Sequence, residues 1–264
     1  MNRDQIDNLA GAMRRAGEAV RQLRNHSLLY AEAKTSPQDI VTRGDRASEE
    51  ILVAAIRRHF PEDGILGEEG ASVGGARTWF LDPIDGTANY AGGSDYWGIS
   101  AGTVKEFGMI CLPDTQTPWF WVEEDGSAWM GGDGFADRLF SAREVRLRDA
   151  LVDVGAWPGQ ESAFVAVRQE ARMTGMINSV VWEAMLVAQG KLDAYVHTGA
   201  SIFDISAAIP ICRAAGCTVT GVSSDEPVED LCNPEIGKRK FPIVIARSRQ
   251  LSDELREAVG PLMR

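Results

Sequence analysis

The sequence predicts an α/β protein whose first half sets helices before a meandering sheet and whose second half alternates strands with helices. Ile6, Leu9, Met13, Ala16, Val20 and Leu23 recur at three-and-four spacing, the stripe of a long amphipathic helix. Short apolar runs punctuated by Pro113-Asp114 and Asp125-Gly126 then read as strands with antiparallel connections. Beyond the polar, arginine-rich interval from Asp137 to Arg148 the pattern turns to alternation. Two closely packed halves are expected, 1–140 with helices and an antiparallel sheet, and 141–264 as an α/β unit.

In order, the first helix spans about Asp4 to Tyr30 and is broken by Lys34-Thr35-Ser36-Pro37. A second carries Ala47, Ile51, Leu52, Ala55 and Ile56 and closes at Phe60-Pro61. Strands are expected at Trp97 to Val104, Phe107 to Leu112, Pro118 to Val122 and Ser127 to Met130. The second half reads as a strand at Leu151 to Val154, helices at Ser162 to Met173 and Val181 to Gln189, and a strand at Leu192 to Val196. His197 to Ser201 reads as a loop, after which Asp204 opens a helix to Ala215, capped by Gly216. Pro210 should kink that helix because it lacks the amide that would bond back to Ser206. Strands at Cys217 to Thr220 and Pro242 to Ala246 and a helix at Ser252 to Leu262 finish the chain. No internal repeat or low-complexity tract appears.

Composition narrows the function. An apolar content of 44% with 25% charged residues suits a globular enzyme. A formal net charge of −11 argues against nonspecific nucleic acid or anionic membranes as partners, since both need a basic surface. Cys111, Cys212, Cys217 and Cys232 have neither the paired spacing of a zinc site nor the density of a disulfide framework. With no secretory stretch and no long apolar run, the expectation is a cytoplasmic protein without a membrane partner.

The chemistry centres on Trp79-Phe80-Leu81-Asp82-Pro83-Ile84-Asp85-Gly86-Thr87-Ala88-Asn89-Tyr90, an apolar strand ending in two carboxylates, a turn glycine and a hydroxyl. Pro83 stiffens the turn so that Asp82 and Asp85 can reach one point. Gly86 lets backbone approach a ligand closely, and the amides of Gly86 and Thr87 would face an anion at a helix start. Two hard carboxylates suit a hard cation and the amides suit a phosphate, although an acidic turn whose aspartates cap backbone amides would look the same. Elsewhere the local readings are plainer: Thr42 and Asp45 as a capping box, Glu68-Glu69 as solvated loop charge, Asp204 as a helix cap and His197 as a loop residue. No serine nucleophile elbow and no phosphate loop ending in Lys and Ser or Thr is present.

Together Asp39-Ile40-Val41-Thr42-Arg43-Gly44-Asp45, Gly67-Glu68-Glu69, Asp82-Pro83-Ile84-Asp85-Gly86-Thr87-Ala88-Asn89 and Phe203-Asp204-Ile205 with Ala214-Ala215-Gly216 resemble the signatures of the inositol monophosphatase family, in the family's order. The resemblance implies an αβαβα sandwich of the inositol monophosphatase and fructose-1,6-bisphosphatase type, a homodimer, and magnesium-dependent, lithium-sensitive hydrolysis of a small phosphate monoester. It implies that Glu68, Asp82 and the Ile84 carbonyl hold one ion, that Asp82 bridges to a second shared with Asp85 and Asp204, and that Glu68 helps hold a third through water. Thr87, oriented by Asp45, would position or deprotonate the attacking water, while the Gly86 and Thr87 amides hold phosphate oxygens. Asp85, Ser179 and His197 would touch the substrate, and Lys34 would offset the negative charge.

The chain departs from the family where it has Asn178-Ser179-Val180-Val181 in place of Gly-Ser-Ala-Ala, and His197 where members preferring inositol often carry glutamate. The pocket wall is therefore expected to differ, leaving histidinol phosphate, sugar phosphates and nucleotide phosphates beside myo-inositol phosphate as substrates. The competing expectation is a regulatory or binding protein that keeps the fold without the catalysis.

Overall fold

A computed structural model describes residues 1–25, 32–36, 39–132, 134–223, 228 and 240–263. Helices α1 (Arg3–Asn25) and α2 (Arg43–His59) flank a short hairpin of β1 (Glu32–Ser36) and β2 (Asp39–Val41). The first sheet is built from β3 (Gly64–Gly67), β4 (Ser72–Val73), β5 (Thr78–Asp85), β6 (Gly98–Gly102), β7 (Gly108–Cys111), β8 (Trp119–Val122), β9 (Ala128–Gly132) and β10 (Phe135–Arg138), with α3 (Thr87–Ala91) following β5. Its order is β10-β9-β8-β7-β6-β5-β3-β4, and every neighbouring pair is antiparallel except β3 with β5.

The second half comprises β11 (Leu151–Gly155), α4 (Glu161–Glu170), β12 (Met173–Gly175), α5 (Val180–Ala188), β13 (Ala194–Ala200), α6 (Ile202–Ile205), α7 (Ala208–Ala214), β14 (Thr218–Gly221), β15 (Phe241–Ala246) and α8 (Arg249–Val259). These strands form a sheet of order β12-β11-β13-β15-β14, parallel across its first three strands and antiparallel across the rest.

Strand alternation sorts the apolar residues into layers. Trp79 and Leu81 of β5 pack with Leu9, Met13, Ala16, Leu52 and Ile56, so α1 and α2 cover the outer face of the first sheet. Phe80, between them, points the other way and joins Val181, Met185, Ile205 and Ile209 of α5 to α7, together with Tyr195 and Ile243 of the second sheet. Val152, Val196 and Val244 face outward again onto α4 and α8 through Val167, Leu251 and Leu255. The result is helix, sheet, helix, sheet, helix, the αβαβα arrangement.

Several element readings change. The expected break after α1 contains the β1–β2 hairpin, and the expected last turn of α1, from His26 to Tyr30, lies outside the described residues, as does Cys232. The helix at Ser162 ends at Glu170, and Met173–Gly175 forms a parallel edge strand instead. β10 runs into the start of the polar interval read as the boundary between the halves, and α8 begins earlier than expected because Ser248 caps it through the Leu251 amide. The Pro210 kink takes the form of a full break between α6 and α7. The Ser206 carbonyl, which Pro210 cannot serve, accepts from Val104 N–H at 3.2 Å.

Candidate active site

Parallel pairing places the C-terminal ends of β3 and β5 at the same edge, and Glu68 N–H donates to the Leu81 carbonyl at 3.1 Å, continuing that register by one residue. Glu68 and Asp82 are thereby delivered side by side. The third acid comes from the middle layer: α6 is tied to the first sheet by Ser100 Oγ donating to Phe203 O at 3.2 Å and Ser206 Oγ to Phe80 O at 3.4 Å. Carboxylate oxygens of Glu68, Asp82 and Asp204 all lie within 4.8 Å of one another.

Such a cluster is electrostatically unfavourable alone. Burial, then the charges of Glu68, Asp85, Asp204 and Asp45, push Asp82 well above the usual carboxylate range. Burial and Glu68 raise Asp204 to about 6, against hydrogen bonds from Ser201 that favour its charged form. The crowded oxygens, with Asp82 buried and Glu68 and Asp204 half-buried, fit a hard divalent cation, which would neutralise the repulsion and use an all-oxygen donor set.

Asp85 is anchored differently. Ser179 Oγ donates to one of its oxygens, and Val180 and Val181 N–H donate to the other at 3.1 and 3.4 Å, fastening it to the first turn of α5. Burial followed by Asp204 raises its pKa. Ser179, read as a substrate contact, spends its hydroxyl on Asp85 and also caps α5 through the Trp182 amide at 3.4 Å.

Gly86 has φ of 80°, and a Cβ there would sit 2.7 Å from Tyr96 O, so only glycine suits the turn. Thr87 Oγ1 lies 2.9 Å from the Ile84 carbonyl and 3.4 Å from Asp45 Oδ1. The other Asp45 oxygen accepts from Thr42 N–H at 2.7 Å and Thr42 Oγ1 at 2.6 Å. Asp45 therefore completes the capping box of α2 while facing the Thr87 hydroxyl, and the two sequence readings are not alternatives. Asp204 likewise is not the cap itself but the third residue of a capping box whose cap is Ser201.

His197 is not in a loop. β13 runs on to Ala200 through an irregularity, pairing His197 with Gly155 on one side and Ile243 on the other. Its Nδ1 accepts from Gly199 N–H at 3.0 Å, leaving the proton on Nε2, and burial plus Lys240 lowers its pKa to about 4. These contacts do not bring it into the acid cluster. The Lys34 side chain lies outside what is described.

The supporting roles of Ser48, Glu49 and Asn89 escaped the sequence reading. Glu49, buried on α2, accepts from Glu69 N–H at 2.9 Å and Ala71 N–H at 3.0 Å, holding the loop that carries Glu68. A Cβ on Gly67 would overlap the Glu49 carboxylate, so a larger residue there would displace the group that holds the loop. Ser48 Oγ donates to Pro83 O at 2.9 Å, and Asn89 Nδ2 donates to Tyr96 O and Ile177 O at 2.9 and 2.8 Å. The signal was available: Asp45, Ser48 and Glu49 share a helical stripe with Leu52 and Ile56, and polar residues on a core stripe mark buried work.

The acid cluster suits a metal-dependent phosphoric monoester hydrolase, and the family to which the chain is matched supports that class. The chain belongs to the inositol monophosphatase family, whose description matches residues 2–255. It is 30% identical over 200 residues to a fructose-1,6-bisphosphatase/inositol-1-monophosphatase of Thermotoga maritima, covering 74% of this chain and 76% of that protein. A histidinol-phosphatase of Streptomyces coelicolor is 32% identical over 197 residues, covering 69% and 73% respectively. The solved structure of a Thermotoga maritima IMPase shares the fold with a TM-score of 0.84 at 24% identity, covering 98% of both chains.

Proposed function

We propose that the chain hydrolyses a small phosphate monoester using magnesium held by Glu68, Asp82 and Asp204, with Asp85 and the Ile84 carbonyl completing sites for two or three ions. The observation that carries this is the convergence of three carboxylates from β3, β5 and α6 within 4.8 Å. When bound, magnesium lowers the pKa of a coordinated water and neutralises charge on the phosphate and the leaving oxygen. The chain's own residues do the positioning. Thr87, facing Asp45, orients the attacking water and relays its proton toward that carboxylate. The Gly86 and Thr87 amides bind phosphate oxygens at the turn where only glycine fits. None of the carboxylates implied by the family resemblance is lost, which favours catalysis over a binding protein that merely keeps the fold.

Fructose bisphosphate and inositol phosphate, as the Thermotoga relative's name indicates, and histidinol phosphate, as the Streptomyces relative's does, are substrates to test here. Our reading is that myo-inositol-1-phosphate is not the preferred one, that the enzyme is a cytoplasmic homodimer, and that residues 1–140 and 141–264 are its structural halves. Phosphate release from a panel of these esters and nucleoside monophosphates, with magnesium, with chelator and with lithium, is the test. Release only with magnesium, suppressed by lithium, is expected; release undiminished in chelator overturns the proposal.

A further inference from the structure

Among the described residues, Glu183 is the most enclosed acid outside the metal cluster. It sits on α5 with no solvent exposure, among Val180, Ala184 and Met185, in a layer otherwise filled by apolar side chains. An aliphatic residue would pack there without the cost of burying a carboxyl group. Among the described residues no basic side chain neutralises it: burial raises its pKa to about 7, and Asp153 opposes its charge further. Its Oε2 lacks a partner of ordinary hydrogen-bond geometry among the described residues, although the nearby Tyr195 hydroxyl and the Asn178 backbone both favour its charged form. A polar group kept at this cost is doing something that an apolar one could not.

What it does is visible at its other oxygen. Oε1 accepts from Ile177 N–H at 2.8 Å, reaching back across the start of its own helix to the segment that precedes the cap. In an ordinary capping box the third helical residue bonds the cap amide; here Trp182 holds that place and Glu183, one residue later, reaches two residues before the cap. The same segment is gripped from the other side by Asn89 Nδ2, which donates to Ile177 O at 2.8 Å and Asn178 O at 3.3 Å. Between the two grips Asn178 takes a left-handed conformation with φ of 64°. Ser179 then emerges against the Gly86 turn, its Cβ 3.1 Å from where a Gly86 Cβ would lie, and donates to Asp85.

We propose that Glu183 is a positioning residue for the metal site: by fixing Ile177 it sets the 177–179 segment, and through Ser179 and the first amides of α5 it fixes Asp85. Asp85 is the one acid of the signature turn whose described hydrogen bonds all come from this segment and the start of α5. Slack in the segment therefore becomes displacement of a ligand. The inference rests on the metal reading given above.

Mn2+ binding, followed by electron paramagnetic resonance on the native protein and on Glu183→Gln, Glu183→Asp and Glu183→Leu, tests it alongside hydrogen exchange at Ile177 N–H. Glutamine keeps an acceptor at the same reach and should bind as the native protein does. Aspartate withdraws the acceptor and leucine removes it, so both should weaken Mn2+ binding by about tenfold, the lower end for residues that orient ligands, and speed exchange at Ile177. At saturating metal most of kcat should return, whereas a purely structural role would lower Tm without moving the metal affinity. Should the leucine variant not fold, the aspartate variant decides. Native-like Mn2+ binding by Glu183→Asp, or equal weakening by Glu183→Gln, overturns the inference alone. A native protein that binds no Mn2+ overturns the metal reading and this inference with it.

Discussion

The Thr87 hydroxyl lies 3.4 Å from one oxygen of Asp45, while the second oxygen of that carboxylate accepts both donors of Thr42. The carboxylate cannot turn toward or away from Thr87 without breaking the cap of α2. The helix end thus fixes the direction from which Thr87 is addressed, and a group that looks structural in sequence sets the geometry of a reacting one.

Asp82 and Thr87 should separate metal binding from water positioning. Asp82→Asn removes charge from the centre of the cluster, and calorimetry should show magnesium binding lost together with activity. Thr87→Ala leaves the three acids in place, so binding should persist while kcat falls by ~10²–10⁴-fold, the range for loss of acid–base assistance. Near-native turnover by Asp82→Asn would sink the metal assignment.

Glu49 should affect stability and metal affinity together. Glu49→Ala strands the Glu69 and Ala71 amides and should cost about 1–3 kcal/mol in urea unfolding, the penalty for unpaired buried groups. Magnesium half-saturation should rise, because Glu68 belongs to the freed loop. An unchanged half-saturation would show that the loop holds its place without Glu49.

The metal-free protein should be more stable in mild acid than at neutral pH. Asp82, Asp85, Asp204 and Glu183 all have raised pKa values, so between the unfolded carboxylate range near pH 4 and about pH 6 to 7 the folded chain retains protons that the unfolded chain has lost. Stability then falls as pH rises through that window. His197, lowered to about 4, acts oppositely: its contribution is complete above about pH 6.5 and is lost as pH falls toward 4, but it is one group against several raised carboxylates, Asp153 among them. Thermal melts of chelated protein should show Tm declining from pH 5 to 7.5, and magnesium should raise Tm more at 7.5 than at 5. A chelated Tm that climbs over this range would contradict the raised carboxylates.

His197 tests what shapes the substrate wall. With Nδ1 engaged by Gly199, the neutral ring has only its Nε2 proton to offer, whereas glutamate would offer acceptors. His197→Glu should shift the ratio of kcat/KM values among inositol, sugar, amino-alcohol and nucleoside phosphates while leaving magnesium affinity unchanged. Unchanged ratios would place the determinant elsewhere.

Sequence patterning revealed the layers and the acid positions because both leave local marks. The α1 stripe, the alternation of Trp79, Phe80 and Leu81, and acids at strand ends are periodicities or adjacencies. The β1–β2 hairpin and the edge strand β12 were missed because segments of three to five residues carry too little pattern to distinguish them from turns. His197 looked like a loop residue because Thr198 and Gly199 follow it, yet the irregularity between His197 and Ala200 lets β13 continue past them. The Glu183 to Ile177 and Glu49 to Ala71 bonds depend on how loops return to helices, which no spacing rule encodes.

The three clustered acids are distributed so that Glu68 and Asp82 are made early and Asp204 only midway through the second half. A nascent or truncated chain can display the signature turn without completing the ion cage. If the three acids hold magnesium as proposed, its binding energy would favour only the chain in which α6 has docked against β5 and β6, so that metal affinity would report on that docking.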